Sequence, residues 1–265
     1  MAIAGGDGTE PAAESNSPRE RDQVRYSQLD GVLRRSDNGQ APSLAMSKGS
    51  RIILVWDAPI RLFHWIVAAL VVAAYATWRL NWMDWHGRIG DALLALLLFR
   101  LSWGFFGSET ARFSRFLASP RTVMHYLRHW FRREPDCQVG HNPAGGWVVA
   151  LLLALLLAET LTGLYVANDI ADEGPLTEIV PARVANAISA AHGILWDLLL
   201  VMIVLHVLAI AAYAAAKGQN LLLPMITGTK AIPAGVAAPR MESHARAAFL
   251  LAGGAAVAAI LANLI

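Results

Sequence analysis

Cysteine is almost absent, with Cys137 the sole thiol in 265 residues. One thiol excludes an internal disulfide, a Cys-x-x-Cys-His haem attachment and any four-thiolate iron–sulfur or zinc site, so a bound metal or haem must use other ligands. Charge is scarce as well, at 16% of residues against 55% hydrophobic ones. The net charge of +2 gives no reason to expect a nucleic-acid partner, because the arginines stand at the ends of apolar runs, where membrane topology accounts for them. Residues 1–50 lack apolar periodicity and a signal-peptide pattern. Rich in Gly, Ser, Asp, Glu, Arg and Pro, they read as a disordered tail.

What is present is apolar surface in long runs. Four segments, Ile60 to Leu80, His86 to Phe106, Gly146 to Ala167 and Ala191 to Ala216, each approach the ~20 residues a spanning helix needs. A fifth, from Ala245 to Ile265, is rich in small residues and barely long enough to span. The fold class expected is an all-α integral membrane protein, an antiparallel four-helix transmembrane bundle with a fifth C-terminal helix. Its domains are a tail over 1–50, a four-helix unit over 51–230, and a linker with the additional helix over 231–265.

The connectors differ in charge. Arg112, Arg115, Arg121, Arg128, Arg132 and Arg133 lie between the second and third segments, whereas Asp169, Asp172, Glu173 and Glu178 oppose Arg183 between the third and fourth. The positive-inside bias places the basic loop in the cytoplasm, and Arg51, Arg61, Lys217 and Lys230 agree with it. The expected location is thus a bacterial inner membrane, multi-pass, with the N-terminus cytoplasmic. Within the basic loop, Ser119-Pro120 forms a helix start, and Val123, Tyr126, Leu127, Trp130 and Phe131 recur at helical spacing. That pattern predicts an amphipathic helix on the cytoplasmic surface.

Eight histidines are present. His125 and His129 fall in the surface helix, His244 precedes the last segment, and His141 sits in a polar stretch before the third, so these four read as solvated or interfacial. The other four lie in apolar runs, where an imidazole is costly unless it is paired or ligating. His192 and His206 are fourteen residues apart, which leaves them about 40° apart around a helix and about 21 Å apart along it. In an antiparallel bundle His64 then shares the inner level with His206, and His86 the outer level with His192. Hydrogen-bonded core histidines are the bland alternative. Zinc would want its ligands at one depth in a tetrahedral set, and the split opposes it. A pair of axial imidazoles at each level suits low-spin haem iron, an electron-transfer centre with no coordination position left open.

The stretches RLFHW (61–65), HGRIGDALLALLLFRLSWGFFGS (86–108), GHNPAGGW (140–147), TGLY (162–165), AHGILWDLLLVMIVLH (191–206) and ITGTK (226–230) resemble the bacterial cytochrome b561 family. That family is similar in turn to the b-type cytochrome subunits of nickel–iron hydrogenases. The resemblance covers about residues 53–230 and implies two haems b, held through histidines on the first, second and fourth helices. The matching positions are His64, His86, His192 and His206. It also implies a quinone as the membrane partner, with a soluble cytochrome c or a hydrogenase or dehydrogenase subunit as the other.

Arg100 follows His86 by the same fourteen residues, so it reaches the depth of the inner haem, where it could pair with a propionate. Snorkelling to headgroups is the alternative. Gly87, Gly163 and Gly193 could admit a porphyrin plane, though close helix packing explains them more simply. Glu159, well inside the third helix, should be neutral or partnered there and is a candidate for proton exchange with a quinone. The function expected is a dihaem cytochrome relaying electrons between a partner at the outer face and the quinone pool. Its rivals are a membrane-anchoring, electron-accepting subunit of a larger enzyme and a haem-free proton-coupled transporter.

Overall fold

A computed structural model describes residues 49–129, 138–167 and 174–263. The N-terminal tail through residue 48, Trp130, Phe131, Arg132, Arg133, Cys137, Asp169, Asp172 and Glu173 lie outside them.

Five long helices follow from five apolar runs. Helix α1 (Ala58–Arg79) starts at Asp57, whose Oδ1 accepts the Ile60 amide at 2.8 Å, satisfying one of the donors a helix start leaves open. A tight turn through Asn81, in the left-handed region at φ 56°, leads into α2 (Met83–Phe106). The basic connector folds into α3 (Phe113–Phe116) and α4 (Pro120–Arg128). As the Ser119-Pro120 signature predicts, the Ser119 side chain accepts the Thr122 amide. Asn142 caps α5 (Pro143–Gly163) in the same way, through the Gly145 amide. Helix α6 (Ala182–Lys217) runs for 36 residues and stops at Gly218, left-handed at φ 67°. It begins nine residues before the apolar run at Ala191, because the polar stretch ahead of that run is also helical. A short α7 (Leu222–Thr227) follows, and α8 (His244–Ala262) closes the described chain. All five long helices are long and apolar enough to cross a membrane.

Two short strands have no local signature in the sequence. β1 (Ser50–Leu54) and β2 (Thr229–Pro233) pair antiparallel, Ile52 opposite Ala231, and tie the chain before α1 to the chain after α6. The Val55 and Trp56 amides both donate to the Gly228 carbonyl, at 2.8 and 3.1 Å. Arg61 donates to the Ile226 carbonyl and the Trp65 indole to that of Met225. Gly228 is left-handed at φ 83°, and a Cβ there would lie 2.8 Å from the Trp56 carbonyl oxygen, so the site needs glycine.

The core gathers around α2. Leu93, Leu97, Phe99 and Trp103 meet Ile60, Phe63 and Val67 of α1, Leu153 and Leu156 of α5, and Ile53 and Ile232 of the strands. Helix α1 packs on α2, α2 on α5, and α5 on α6; α8 lies along α2. The series does not close by a broad backbone approach of α6 to α1. Those two helices meet instead through the stacked rings of Tyr75 and Trp196, 5.4 Å apart. Large apolar residues such as Leu198, Val201, Leu205 and Leu208 remain exposed along α6, as suits a helix whose solvent is lipid.

Candidate functional site

The site is built on α6, which carries His192 and His206 on one face. At the end away from the basic connector, His86 Nδ1 lies 2.9 Å from the Ala74 carbonyl. A carbonyl can only accept, so Nδ1 donates and Nε2 keeps its lone pair. His192 is held likewise, with Nδ1 3.1 Å from the Glu159 carbonyl and 3.0 Å from Thr162 Oγ1. These bonds fix both rings with Nε2 available, the arrangement in which a backbone partner orients an iron ligand. The two imidazoles lie within electrostatic reach of each other. Glu159 Oε1 stands 3.3 Å from His192 Nε2, and Glu159 Oε2 is buried without a hydrogen bond. One nitrogen cannot serve both a carboxyl and an iron, so ligation requires Glu159 to turn aside.

At the arginine-rich end His64 and His206 are within electrostatic reach of each other. A third imidazole joins them. His141, read from sequence as solvated, sits against Trp56 at 4.7 Å and Phe116 at 5.1 Å between ring centroids. Burial pushes its pKa down to about 3, helped by Arg100, His206 and His64, so the ring is neutral. It directly precedes the Asn142 cap in GHNPAGGW, and no local pattern there announces its burial. The rings of His125, in α4, and His129, which caps its end, lie 4.4 Å apart at a tilt of 41°, and His244 opens α8.

Arg100 does not snorkel. Only 3% exposed, its guanidinium lies over Phe113 and Phe116, 5.3 and 5.9 Å from the ring centroids. Asp57 supplies a nearby negative charge, but both of its oxygens are engaged, Oδ1 by the Ile60 amide and Oδ2 by the Trp103 indole at 3.0 Å. Buried nitrogens without a partner therefore collect here: Arg100 Nη1, His141 Nδ1 and His64 Nδ1. Arg100 Nη1 is always a donor and each Nδ1 is one in its Nδ1–H tautomer; leaving such a donor unmet costs about 1–3 kcal/mol, so the set fits a group that brings anionic acceptor oxygens. Haem propionates are such a group, and the residues fit the cofactor on this ground.

Close helix packing does not explain Gly87 or Gly193. A Cβ added at either meets no atom within 4 Å, whereas one at Gly163 would touch the His192 ring at 3.4 Å. Among the described residues no three His, Cys, Asp or Glu side chains converge on a point that could hold a metal ion.

A family model described as prokaryotic cytochrome b561 matches residues 55–228. The chain belongs to that family. It is therefore a multi-pass membrane b-type cytochrome, an electron-transfer protein that carries haem b. It is 24% identical over 215 residues to a probable Ni/Fe-hydrogenase B-type cytochrome subunit of Rhizobium leguminosarum bv. viciae, covering 67% of this chain and 88% of the relative. A second protein of that description, from Bradyrhizobium diazoefficiens, is 28% identical over 149 residues, 43% of this chain and 60% of the relative. No solved structure matches. The β1–β2 pairing and the whole of α8 reach beyond the family segment, whereas all four intramembrane histidines, Arg100 and His141 fall inside it.

Proposed function

We propose that this cytochrome holds two haems b, one between His64 and His206 at the arginine-rich end and one between His86 and His192 at the opposite end, and relays electrons across the bilayer. The observation that carries the reading is the pair of imidazoles at each end of the long α6 face, one member always on α6 and the other on α1 or α2. A haem iron with two imidazole ligands cycles between ferric and ferrous states with no coordination position open to oxygen. The chain's own part is to fix the ligand rings, through Ala74 for His86 and through Glu159 and Thr162 for His192, and to exclude water by burial in apolar helices. Arg100 supplies a buried positive charge beside the inner site, where it pairs with a propionate.

The positive-inside bias puts the arginine-rich end in the cytoplasm of a bacterial cell and the N-terminus with it. Electrons then pass between a redox partner at the outer face and the quinone pool. The partner that the relatives favour is a hydrogenase, since both carry that assembly in their names; in that setting this chain is the membrane-anchored electron acceptor.

Four single variants test the ligand assignment by redox titration of the purified protein. Loss of one imidazole leaves iron with five ligands, so haem is lost or becomes high-spin at one site while the other survives. His86→Ala must resemble His192→Ala, and His64→Ala must resemble His206→Ala. Different centres lost within a pair refute the pairing, and two normal low-spin haems in all four variants refute the ligands.

A further inference from the structure

Three imidazoles lie within electrostatic reach at the arginine-rich end, and a bis-imidazole centre uses two. We infer that His141 is the odd one out and acts with Arg100 as a propionate clasp, donating Nδ1–H to a carboxylate of the inner haem rather than binding its iron. The inference rests on the reading that His64 and His206 hold a haem there.

Placement decides the role. His64 and His206 sit on the spanning helices α1 and α6, which make no broad backbone approach to each other. His141 belongs to the loop ahead of α5 and packs on Phe116, the ring that also lies under the Arg100 guanidinium. The two are close enough for the charge of Arg100 to act on His141. Each presents a buried nitrogen with no protein acceptor, Nη1 of Arg100 and Nδ1 of His141. The one carboxylate near Arg100, that of Asp57, has already committed both oxygens. Two donors beside one aromatic ring, one cationic and one neutral, suit a carboxylate that brings its own charge. Arg61 Nε is also buried and unpartnered, but it lies near Gly228, where an added Cβ would meet it at 3.0 Å, and Nη1 of the same side chain holds the Ile226 carbonyl. Arg61 therefore secures the β1–α1 corner and is left out of the clasp.

A propionate that loses a donor keeps more of its negative charge, and negative charge near the iron favours the ferric state. The test uses the full-length holoprotein with electron paramagnetic resonance and redox titration. His141→Ala should keep both centres low-spin while the potential of one falls, with the reduced-to-oxidised ratio at fixed potential dropping about tenfold, or about 59 mV for one electron. His141→Gln keeps an N–H donor but has no imidazole to offer iron, so it should stay low-spin with a smaller fall. A high-spin or missing haem in both variants, with His64→Ala retaining two low-spin haems, would make His141 a ligand and overturn the proposal. Unchanged potentials in both variants would overturn it too. Should neither His64→Ala nor His206→Ala disturb any haem, the failure lies in the ligand assignment beneath it.

Discussion

Single residues at this site are set by the cost of burying polar groups in an apolar bundle. Arg100 shows it best, because an arginine only 3% exposed whose Nη1 lacks a partner persists only where something anionic meets it. Arg100→Leu removes a positive charge that favours reduced haem, so the inner centre's midpoint potential should fall while haem content holds. Arg100→Lys, a point charge without the planar fork, should recover part of the loss. An unchanged titration of Arg100→Leu at full haem content would break the link between arginine and propionate. His64, His86, His192, His206 and Arg100 stand out in the sequence as candidates because imidazole and guanidinium are rare inside apolar runs, and fourteen-residue spacing sets both face and depth. His141 does not. Its environment is made by Trp56, before α1, and Phe116, beyond α2, so nothing local to residue 141 announces that these rings will enclose it.

At the level of elements, helix type and number follow from the length and apolarity of the runs, while the closures follow from contacts between distant segments. No local pattern in the Ser50–Leu54 stretch signals a strand, since its partner Thr229–Pro233 lies on the far side of the four-helix region. Gly228 sits where this closure meets α1. Gly228→Ala forces an L-residue into the left-handed region, at about 1–2 kcal/mol, and drives its Cβ against the Trp56 carbonyl. The variant should lose thermal stability in detergent by at least that amount, read from the midpoint of haem release on heating. A wild-type midpoint would show that the corner is dispensable. Helix α8 docks on α2 through Gly254, where an added Cβ would lie 2.8 Å from the Ala95 carbonyl oxygen. Gly254→Leu overpacks that seam, which typically costs about 1–3 kcal/mol, and should expose α8 to limited proteolysis. Its visible spectrum should keep the wild-type form, because all four proposed ligands lie on α1, α2 and α6. Loss of haem in Gly254→Leu would mean that α8 braces the ligand helices through α2.

For the whole molecule, orientation in the membrane fixes which side each proposed haem site faces. Most of the described cationic residues gather at one end, with Arg79, Arg88 and Arg183 at the other: Lys217 lies over the rings of Tyr126 and Tyr213 at the foot of α6, Lys230 reaches the Gln138 carbonyl, and Arg112 and Arg246 both grip Glu242 beside the start of α8. Since Arg61 and Arg100 belong to the same end, the positive-inside bias acts on this cluster as a unit, and reversing it would require carrying several guanidinium groups through hydrocarbon. Reporter fusions after Arg133 and after Lys217 should therefore read as cytoplasmic, and a fusion near Asp172 as external. Helix α8 starts beside Arg112 and runs away from it, so a fusion after Ile265 should read as external as well. An external signal at Arg133 would invert the molecule: the His64–His206 site with its Arg100 and His141 neighbours would face the outer partner, and the His86–His192 site would exchange electrons on the cytoplasmic side.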